Sequence, residues 1–398
     1  MASISRAGRF VHQPTGYTAF VPAPLPPDPP VDVDLAMVGL LSRADQVVGR
    51  LDGVARTLPN PDLFVAMYVR REAVLSSQIE GIQSTLEDTL AFELNPSQRE
   101  VPRDVEEVVN YVRAMNYGLK RLTELPLSLR LIREIHAELM RGVRGADKLP
   151  GEFRRSQNWI GPQNAPLSQA TFVPPPVSEM TSALYNLEEF LHEEDDLPAL
   201  VRCSLAHAQF ETIHPFLDGN GRVGRLLITF QLVHGGVLHR PLLYLSYYIK
   251  RHKAEYYDRL MAVRQDGNWE GWLHFFLRGV AETAKEATAT AEAIVRLQEE
   301  HRALLQSEGL GLNGLRFLDL LFQRPLVNVN LVQERLGVSS FTTANKLVEQ
   351  LETLGLLEKV AGGQRNRIFR YTPYWRLLEE PEPAAGQDVP VQTTEAAG

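Results

Sequence analysis

The chain has 398 residues, a formal net charge of −8 at pH 7 and a hydrophobic fraction of 44%. This length predicts two or three domains, each large enough to bury a core. The mild excess of acid excludes a whole-chain electrostatic attraction to nucleic acid or to anionic membranes, without excluding a local basic patch.

The single cysteine favours a reducing compartment, and the apolar pattern argues against export and against a membrane span. Cys203 is the only cysteine, which excludes a disulfide within the chain, and its apolar helical surroundings predict a buried structural thiol. Residues 1–10 lack the apolar segment of a secretory signal. The most apolar stretch, 226–249, is interrupted by polar residues, two glycines and Pro241, so it predicts a core helix and a turn and not a membrane span. We therefore expect a cytoplasmic protein that does not bind membranes.

The N-terminal part predicts a helical domain preceded by an extended segment. Residues 11–33 are rich in proline, which favours an extended strap across the surface. From residue 35 to about 123 apolar residues recur with helical spacing, with breaks at Asn60-Pro61 and Asn95-Pro96. We assign residues 1–105 to this domain.

The middle of the chain, residues 106–290, predicts a second helical unit. Helical spacing continues through five segments, which are 129–141, 176–194, 198–212, 249–263 and 269–283. Residues 160–173 differ, because they are polar and punctuated by glycine and proline. We interpret them as a β-hairpin flap whose open edge can accept an added peptide strand.

The C-terminal part predicts a linker, a small module and a tail. Residues 291–308 are rich in Ala, Glu and Arg and predict a connecting helix. Three short helical patterns and a strand-turn-strand pattern follow within residues 309–376, an order that resembles a winged helix-turn-helix domain. Residues 377–398 are rich in Pro, Ala, Glu and Thr and predict disorder. The predicted fold class is mainly α, with a β-hairpin flap and a C-terminal winged helix.

The winged-helix pattern raises the question of DNA binding. Residues 309–375 contain eight basic and five acidic residues, a net charge of +3. The third helix offers Lys346 against two glutamates, and the wing offers Arg365, Arg367 and Arg370. Since phosphate binding normally needs several cations on one face, we favour a protein-contact or regulatory role over DNA binding.

Residues 214–225, with the sequence HPFLDGNGRVGR, combine side chains that a nucleotide phosphate chain needs. His214 is suited to taking a proton from a hydroxyl near neutral pH. Asp218 is suited to holding Mg²⁺ against phosphates. The Gly-Asn-Gly turn must begin a helix, whose first backbone N–H groups bind anions. Arg222 and Arg225 are three residues apart, so we expect both to project to one side and to fork onto phosphate oxygens.

This stretch resembles the signature of Fic-domain proteins, His-Pro-Phe-x-(Asp/Glu)-Gly-Asn-(Gly/Lys)-Arg-x-x-Arg, at every position. Two further segments, Gly151-Glu152-Phe153-Arg154-Arg155 and Phe172-Val173-Pro174-Pro175-Pro176, resemble those that flank the substrate-docking flap of that family. The resemblance implies transfer of AMP from ATP to a Ser, Thr or Tyr hydroxyl of a target protein, with release of pyrophosphate. It also implies that the target docks along residues 160–173.

The roles implied by the resemblance are compatible with the chemistry of the residues. His214 is the catalytic base and Asp218 the Mg²⁺ ligand. The family also has a tyrosine near residue 257 that contacts the adenine or its ribose, and Tyr257 is our choice for it. The expected ATP-binding residues are therefore Gly219, Asn220, Gly221, Arg222, Val223, Gly224, Arg225 and Tyr257.

A second short motif indicates control of the activity. Ser76-Ser77-Gln78-Ile79-Glu80-Gly81 matches the inhibitory pattern of the same family, (Ser/Thr)-x-x-x-Glu-(Gly/Asn), whose glutamate reaches an arginine of the signature. A carboxylate against Arg225 would occupy its guanidinium and repel the γ-phosphate of ATP. A solvated helix glutamate without a role is the alternative. The match predicts an enzyme that Glu80 inhibits.

Two other functions are compatible with the sequence. Glu80 could instead orient a water molecule and remove AMP from a modified protein. Alternatively, the nucleotide pocket could only sense a ligand, in a transcriptional or adaptor protein that uses the winged helix. The sequence does not name the target protein, and it leaves self-modification and homodimer formation open.

Overall fold

The computed structural model describes residues 5–57, 61–94, 102–142, 148–162, 166–362 and 367–379. Within these ranges the chain is mainly helical, as the sequence predicts, with two small antiparallel sheets. Parts of some predictions lie outside the described residues, namely Asn60, Asn95-Pro96, residues 163–165, Arg365 and residues 380–398 of the tail.

An antiparallel hairpin that the composition did not predict begins before the proline-rich strap and extends into it. Strands β1 (Gly8–His12) and β2 (Thr18–Pro22) pair with Phe10 opposite Phe20. The Phe20 side chain is buried, and its ring centroid lies 6.2 Å from that of Phe172. The backbone N–H of Phe20 donates to the carbonyl of Val173 at 2.9 Å. The strap is therefore attached to the end of the predicted flap.

Among the described residues, four helices form the N-terminal helical part. They are α1 (Leu35–Thr57), α2 (Pro61–Ile79), α3 (Leu86–Leu94) and α4 (Arg103–Arg121). Helix α2 packs against α4. It ends at Ile79, and Gly81 turns the chain with φ 87°, a value that glycine adopts without the strain that a Cβ would cause. This turn places Glu80 just beyond the end of the helix.

The second helical unit predicted from the sequence is built around one buried helix. Its helices are α5 (Leu129–Leu139), α6 (Val177–His192), α7 (Ala199–Ile213), α8 (Asn220–His234), α9 (Ser246–Arg251) and α10 (Lys253–Asp266). In α7 every residue from 200 to 213 except Arg202 is buried, as expected for a helix that packs on all sides. Helices α6, α8 and α10 pack around it. Because α7 ends at Ile213, it delivers His214 to the edge of the core.

A single helix, α11 (Trp269–Ser307), replaces the two segments predicted at 269–283 and 291–308. The expected boundary between residues 290 and 291 lies inside it. Residues 280–307 contain neither glycine nor proline and are rich in strong helix formers. The change in composition therefore did not mark a break. Helix α11 packs along both α1 and α7, so it joins the N-terminal part to the core.

The C-terminal module has helices and two strands where the sequence predicted them. Its elements are α12 (Gly311–Gln323), β3 (Leu326–Asn328), α13 (Val329–Leu336), α14 (Phe341–Thr353), β4 (Leu357–Ala361), β5 (Ile368–Tyr371) and α15 (Thr372–Leu378). Strand β5 lies between β3 and β4, and β3 and α15 were not predicted. Helix α12 packs on α2, and β3 packs on α3. The module therefore rests on the N-terminal helical part.

The segment predicted as a flap, residues 160–173, is called the docking segment below. Ile160 and Phe172 form an antiparallel bridge, in which each N–H donates to the other residue's carbonyl at 2.8 and 3.0 Å. A short 3₁₀ turn, Leu167–Gln169, lies between them. In the described part of this segment the pairing is limited to that bridge, so it is less regular than a hairpin with two full strands.

One expectation about the core agrees with the structure. Cys203 is buried on α7, and burial raises the pKa of its thiol. Across the described ranges, each helix is either too short or too polar to cross a membrane.

Candidate active site

His214 adopts a left-handed backbone conformation at the end of α7, with φ 49° and ψ 61°. Such a conformation ends a helix but costs a residue with a Cβ about 1–2 kcal/mol, so neighbouring groups must hold it. The N–H of His214 donates to the carbonyl of Phe210 at 2.9 Å. Its own carbonyl accepts from Arg154 Nε at 3.1 Å and from Asn158 Nδ2 at 3.2 Å.

The side chain of Asn220 binds the backbone of Phe216 and so stabilises the loop between α7 and α8, residues 214–219. Its Oδ1 accepts from the N–H of Phe216, and its Nδ2 donates to the Phe216 carbonyl, both at 2.8 Å. The side chain is buried. Asn220 therefore shapes the loop through both ends of its amide. The sequence predicts that Asn220 contacts ATP but does not indicate this role.

His136 on α5 supports the other side of the loop, and the sequence analysis missed it. Its ring stacks on Phe216 with centroids 3.7 Å apart. Nδ1 accepts from the N–H of Gly151 at 2.9 Å, so the proton lies on Nε2, which donates to the carbonyl of Asp218 at 3.1 Å. Burial lowers the pKa of His136 to about 4, so the ring is neutral near pH 7. A lone histidine on an amphipathic helix gives no sequence signal for such a role.

The start of α8 has the properties of an anion site. Gly219 precedes it with φ 77° and supplies no side chain to cap the first turn. The first backbone N–H groups and the helix dipole therefore attract negative charge. The carboxylate of Glu80 already lies there, because a Cβ on Gly221 would be only 2.2 Å from Glu80 Oε1. A glycine at position 221 is needed for this approach.

Glu80 also pairs with Arg225. Arg225 Nη2 donates to Glu80 Oε1 at 2.6 Å and to the carbonyl of Ser76 at 3.0 Å, and its Nε donates to Ser76 Oγ at 2.8 Å. The Arg225 side chain is buried. The serine and the glutamate of the predicted inhibitory pattern therefore bind the same guanidinium.

The Glu80 carboxylate is charged in this pair. Burial acts to raise its pKa, but the charge and the hydrogen bond of Arg225 outweigh burial and hold the pKa below the ordinary value of 4.5. A depressed pKa means that the pair stabilises the fold above pH 4.5. This contribution is lost as the pH falls through the pKa of the folded state.

Arg222 points away from Arg225, which corrects the expectation that both project to one side. Its Nη1 donates to Glu107 Oε2 on α4 at 2.8 Å, and both side chains are buried. Its Nη2 lies 3.7 Å from Asp218 Oδ1. Glu107 on α4 binds Arg222, and Glu80 just beyond the end of α2 binds Arg225, so the two arginines have separate partners that helical spacing alone cannot show.

Val223 and Gly224 lie in the contact between α7 and α8. The Val223 side chain is fully buried. The carbonyl of Gly224 accepts from His207 Nδ1 at 3.0 Å, and a Cβ on Gly224 would be 2.2 Å from Glu211 Oε1. This side of α8 faces α7, and the binding of ATP by these two residues stays a prediction.

The imidazole of His214 is half-buried and neutral. Burial lowers its pKa most, and the charges of Arg264 and Arg154 lower it further, to about 3, although Glu80 acts in the opposite direction. Its Nδ1 is buried near the carbonyl of Glu211. Nε2 is then the atom that can accept a proton from a substrate.

Tyr257 on α10 has an accessible ring, with 41% of the residue exposed. Its neighbour Tyr256 is buried and bonded to His207 Nε2 at 2.9 Å. Burial raises the pKa of Tyr257, and the nearby charge of Glu80 raises it further. Of these two tyrosines, Tyr257 is the one that can stack on a base beside the site.

Asp218 fits a Mg²⁺ ion that is held largely by its substrate. Its side chain is 40% exposed, and Oδ1 accepts from the N–H of Gly219 at 2.6 Å. In the part of the chain that the structure describes, no three His, Cys, Asp or Glu side chains form a metal-binding group. A Mg²⁺ ion bound by Asp218 would take its other ligands from phosphates and water, as Mg²⁺ does at nucleotide sites.

Both the fold and the sequence of this chain are similar to those of known proteins. The structure is similar to the crystal structure of a Fic family protein from Desulfovibrio desulfuricans, with a TM-score of 0.55 and 21% identity over 86% of this chain and 97% of that one. The model of the Fic/DOC family N-terminal region matches residues 38–120, and the Fic/DOC family model matches residues 126–232. Residues 38–120 and 126–232 therefore carry the two regions of the Fic/DOC family, the N-terminal region and the Fic domain.

Curated relatives match over a part of their length. A probable protein adenylyltransferase of Aquifex aeolicus is 29% identical over 182 residues, which are 44% of this chain and 51% of the relative. Protein adenylyltransferase Fic of Drosophila grimshawi is 28% identical over 209 residues, 52% of this chain and 39% of the relative. The chain thus spans about half or less of the length of these relatives.

Proposed function

We propose that the chain is a protein adenylyltransferase, which moves AMP from ATP to a Ser, Thr or Tyr hydroxyl of a target protein and releases pyrophosphate. The names of its relatives support this proposal. The observation that carries it is the neutral imidazole of His214 held beside the anion-binding start of α8. A base and a phosphate site side by side are what hydroxyl attack on a phosphate needs.

The chemical step follows from this arrangement. The hydroxyl oxygen attacks the α-phosphorus while its proton passes to His214 Nε2. The new oxygen–phosphorus bond forms as the bond from the α-phosphorus to the bridging oxygen breaks, and pyrophosphate leaves with that electron pair. The N–H groups at the start of α8 stabilise the developing negative charge. Bound Mg²⁺, with Asp218 as its protein ligand, would neutralise charge on the diphosphate.

We further propose that Glu80 inhibits transfer. Its carboxylate lies at the start of α8 and on Arg225, two positions that would otherwise serve an ATP phosphate. With Arg225 occupied, the γ-phosphate has to bind elsewhere, and the α-phosphorus is then out of line for attack. ATP binding through the adenine and the other phosphates is retained.

The docking segment is our proposed site for the target protein. Its bridge between Ile160 and Phe172 holds the backbone extended at both ends. Asn158, two residues before it, donates to the carbonyls of His214 and Phe216. A target strand added along this segment would therefore bring its hydroxyl close to the base. The chain itself is a further candidate target, through self-modification.

A direct test uses the purified protein with α-labelled ATP, Mg²⁺ and a host lysate. We expect label on one or more proteins, at levels that depend on His214. Label that appears on no protein, while ATP is still bound, would favour the sensing or adaptor role.

Asp218→Ala tests the proposed metal ligand. We expect transfer to fall on the order of 100-fold, because the change removes a few kcal/mol of charge stabilisation on the diphosphate. Calorimetry should show ATP binding that no longer depends on Mg²⁺. Asp258→Ala, which removes an exposed carboxylate on α10, is the matched control and should change neither result. Unaltered Mg²⁺ dependence in Asp218→Ala would place the metal ligand elsewhere.

For the C-terminal module, in which we retain the winged-helix assignment, we propose a protein-contact or regulatory role. Arg367 donates to Asn345 Oδ1 and lies over the ring of Phe369. Arg370 pairs with Glu358 of the module at 3.2 Å and with Glu87 of α3 at 3.6 Å. These two wing arginines are already bound within the chain, which leaves fewer cations for DNA phosphates.

We expect the full chain to bind duplex DNA weakly at low salt and to show little dependence on sequence. Fluorescence anisotropy with labelled duplexes over a range of salt concentrations measures both properties. Tight binding with a steep loss on added salt would contradict this expectation and would support the transcriptional role.

A further inference from the structure

Two buried arginines beside the site have no part in the chemistry above. Arg154 lies between α5 and the docking segment, and Arg264 lies on α10; they are 1% and 4% exposed. Within the described residues, both guanidinium groups bind neutral acceptors and not carboxylates. Burying a cation is unfavourable unless hydrogen bonds compensate for it, although the nearby charge of Glu211 also favours the charged form of Arg264. The hydrogen bonds of the two arginines therefore indicate which segments of the chain they hold together.

Arg154 connects the base to the chain that follows the docking segment. Its Nε donates to the carbonyl of His214 at 3.1 Å, and its Nη2 donates to the carbonyl of Pro175 at 2.5 Å. Its own N–H donates to the carbonyl of Pro215 at 2.9 Å. One side chain thus fixes the distance between the catalytic residue and residues just beyond the docking segment.

Arg264 makes a second connection of the same kind. Its Nη2 donates to the carbonyl of Glu211 and its Nε to Thr212 Oγ1, both at 3.1 Å. On its other side the guanidinium carbon lies 3.9 Å from the centroid of the Phe172 ring. Phe172 forms the bridge with Ile160 that closes the docking segment. Arg264 thus joins the end of α7 to that bridge.

Both arginines bind backbone carbonyls at the C-terminal end of α7, where the helix dipole is negative and favours cations. Both also contact the docking segment or its immediate continuation. We propose that Arg154 and Arg264 are positioning residues that fix the docking segment relative to His214, so that a docked target hydroxyl meets Nε2. The assignment of His214 as the base rests on the proposed function, but the coupling between the two segments does not.

The same arrangement has an electrostatic consequence. The charged groups that act on His214 are Arg264 from α10, Arg154, and Glu80 from the end of α2. Burial lowers the pKa of His214 most, the two arginines lower it further, and Glu80 raises it. The positioning residues therefore also keep the ring in the neutral form that can accept a proton.

Substitutions at Arg264 test the proposal, because Arg154 makes so many backbone contacts that its loss endangers folding. Arg264→Gln removes both the charge and the planar guanidinium that binds the end of α7 and lies over the ring of Phe172. Arg264→Lys keeps the charge but loses the guanidinium. Arg259→Gln, on the same helix but with its arginine paired to Glu255 at the surface, is the matched control. Two readouts are independent of AMP transfer: NMR titration of the His214 ring, and hydrogen exchange of the N–H groups of Thr171 and Phe172.

For Arg264→Gln we expect the pKa of His214 to rise by about one unit, so that its protonated fraction at a pH well above the pKa rises about tenfold. Exchange at Thr171 and Phe172 should also become about tenfold faster, through local opening of the bridge. Arg264→Lys should keep the His214 titration and still accelerate exchange. Arg259→Gln should change neither.

A folded Arg264→Gln protein with unchanged exchange at Thr171 and Phe172 would overturn the proposal. Exchange that accelerates equally at Phe230 in the centre of α8 would also overturn it, because Arg264 would then support only general stability. If AMP transfer itself is not found, these measurements still decide whether the two segments are coupled.

Discussion

Replacing Glu80 with glycine is expected to increase AMP transfer about 10- to 100-fold. A hydrogen bond to a charged group contributes about 1.5–3 kcal/mol, and each 1.4 kcal/mol corresponds to a factor of ten. The variant releases Arg225 and the start of α8, so that the γ-phosphate can bind there and align the α-phosphorus. The initial rate of α-label incorporation, with ATP affinity from calorimetry, measures the effect.

Three control variants show whether the charge of Glu80 is the cause. Glu80→Gln keeps the shape and should give much of the gain. Gln83→Gly adds flexibility to the same turn at an exposed position and should give none. Arg225→Ala combined with Glu80→Gly should cancel the gain, because the γ-phosphate loses its partner. A folded Glu80→Gly protein that is no more active than the unaltered chain would contradict inhibition by Glu80. Loss of a measured AMP-removing activity in that variant would favour the alternative in which Glu80 orients water.

Replacing His214 with alanine is expected to reduce transfer by about 10²- to 10⁴-fold, the usual contribution of a general base. ATP binding should remain, since the phosphate-binding groups lie on α8. The rate is best measured in the Glu80→Gly background, where activity is highest.

The backbone conformation of His214 requires a second variant. Alanine is strained at φ 49°, whereas asparagine tolerates the left-handed region, so His214→Asn separates loss of the base from distortion of the loop. His12→Ala, at an exposed histidine on β1, is the control for histidine loss elsewhere. Transfer by a folded His214→Asn protein at the unaltered rate would mean that another group acts as the base.

The parts of the site that the sequence predicted are those encoded in short segments. His214 and Asp218 belong to one twelve-residue stretch, and the Ser76–Glu80 pattern lies within one helical turn and its end. The pairing of Glu80 with Arg225 across the fold was predicted only from the resemblance to a family. The contacts of Glu107, Arg154 and Arg264 were missed because their partners lie 115, 60 and 53 residues away. No local pattern encodes such contacts, which arise from how helices pack.

The fold shows the same division between local and long-range information. Helical spacing located α5, α6 and α7 to within about two residues, since periodicity is a local property. The hairpin of β1 and β2 was missed because each strand has only five residues and β2 lies in a segment whose prolines favoured an extended strap. The continuity of α11 was missed because a change from core-like to Ala/Glu-rich sequence suggested a break. A helix continues through such a change when no residue interrupts its hydrogen bonding.

The central claim is that this chain transfers the AMP part of ATP to protein. The most direct measurement incubates the purified Glu80→Gly protein with Mg²⁺ and a candidate target or with itself alone, in parallel with α-labelled and γ-labelled ATP. We predict that the α-label becomes bound to protein and the γ-label does not, and that His214→Asn abolishes the incorporation. Incorporation of the γ-label would show transfer of a phosphoryl group instead, and retention of neither label by a folded, ATP-binding protein would contradict the account.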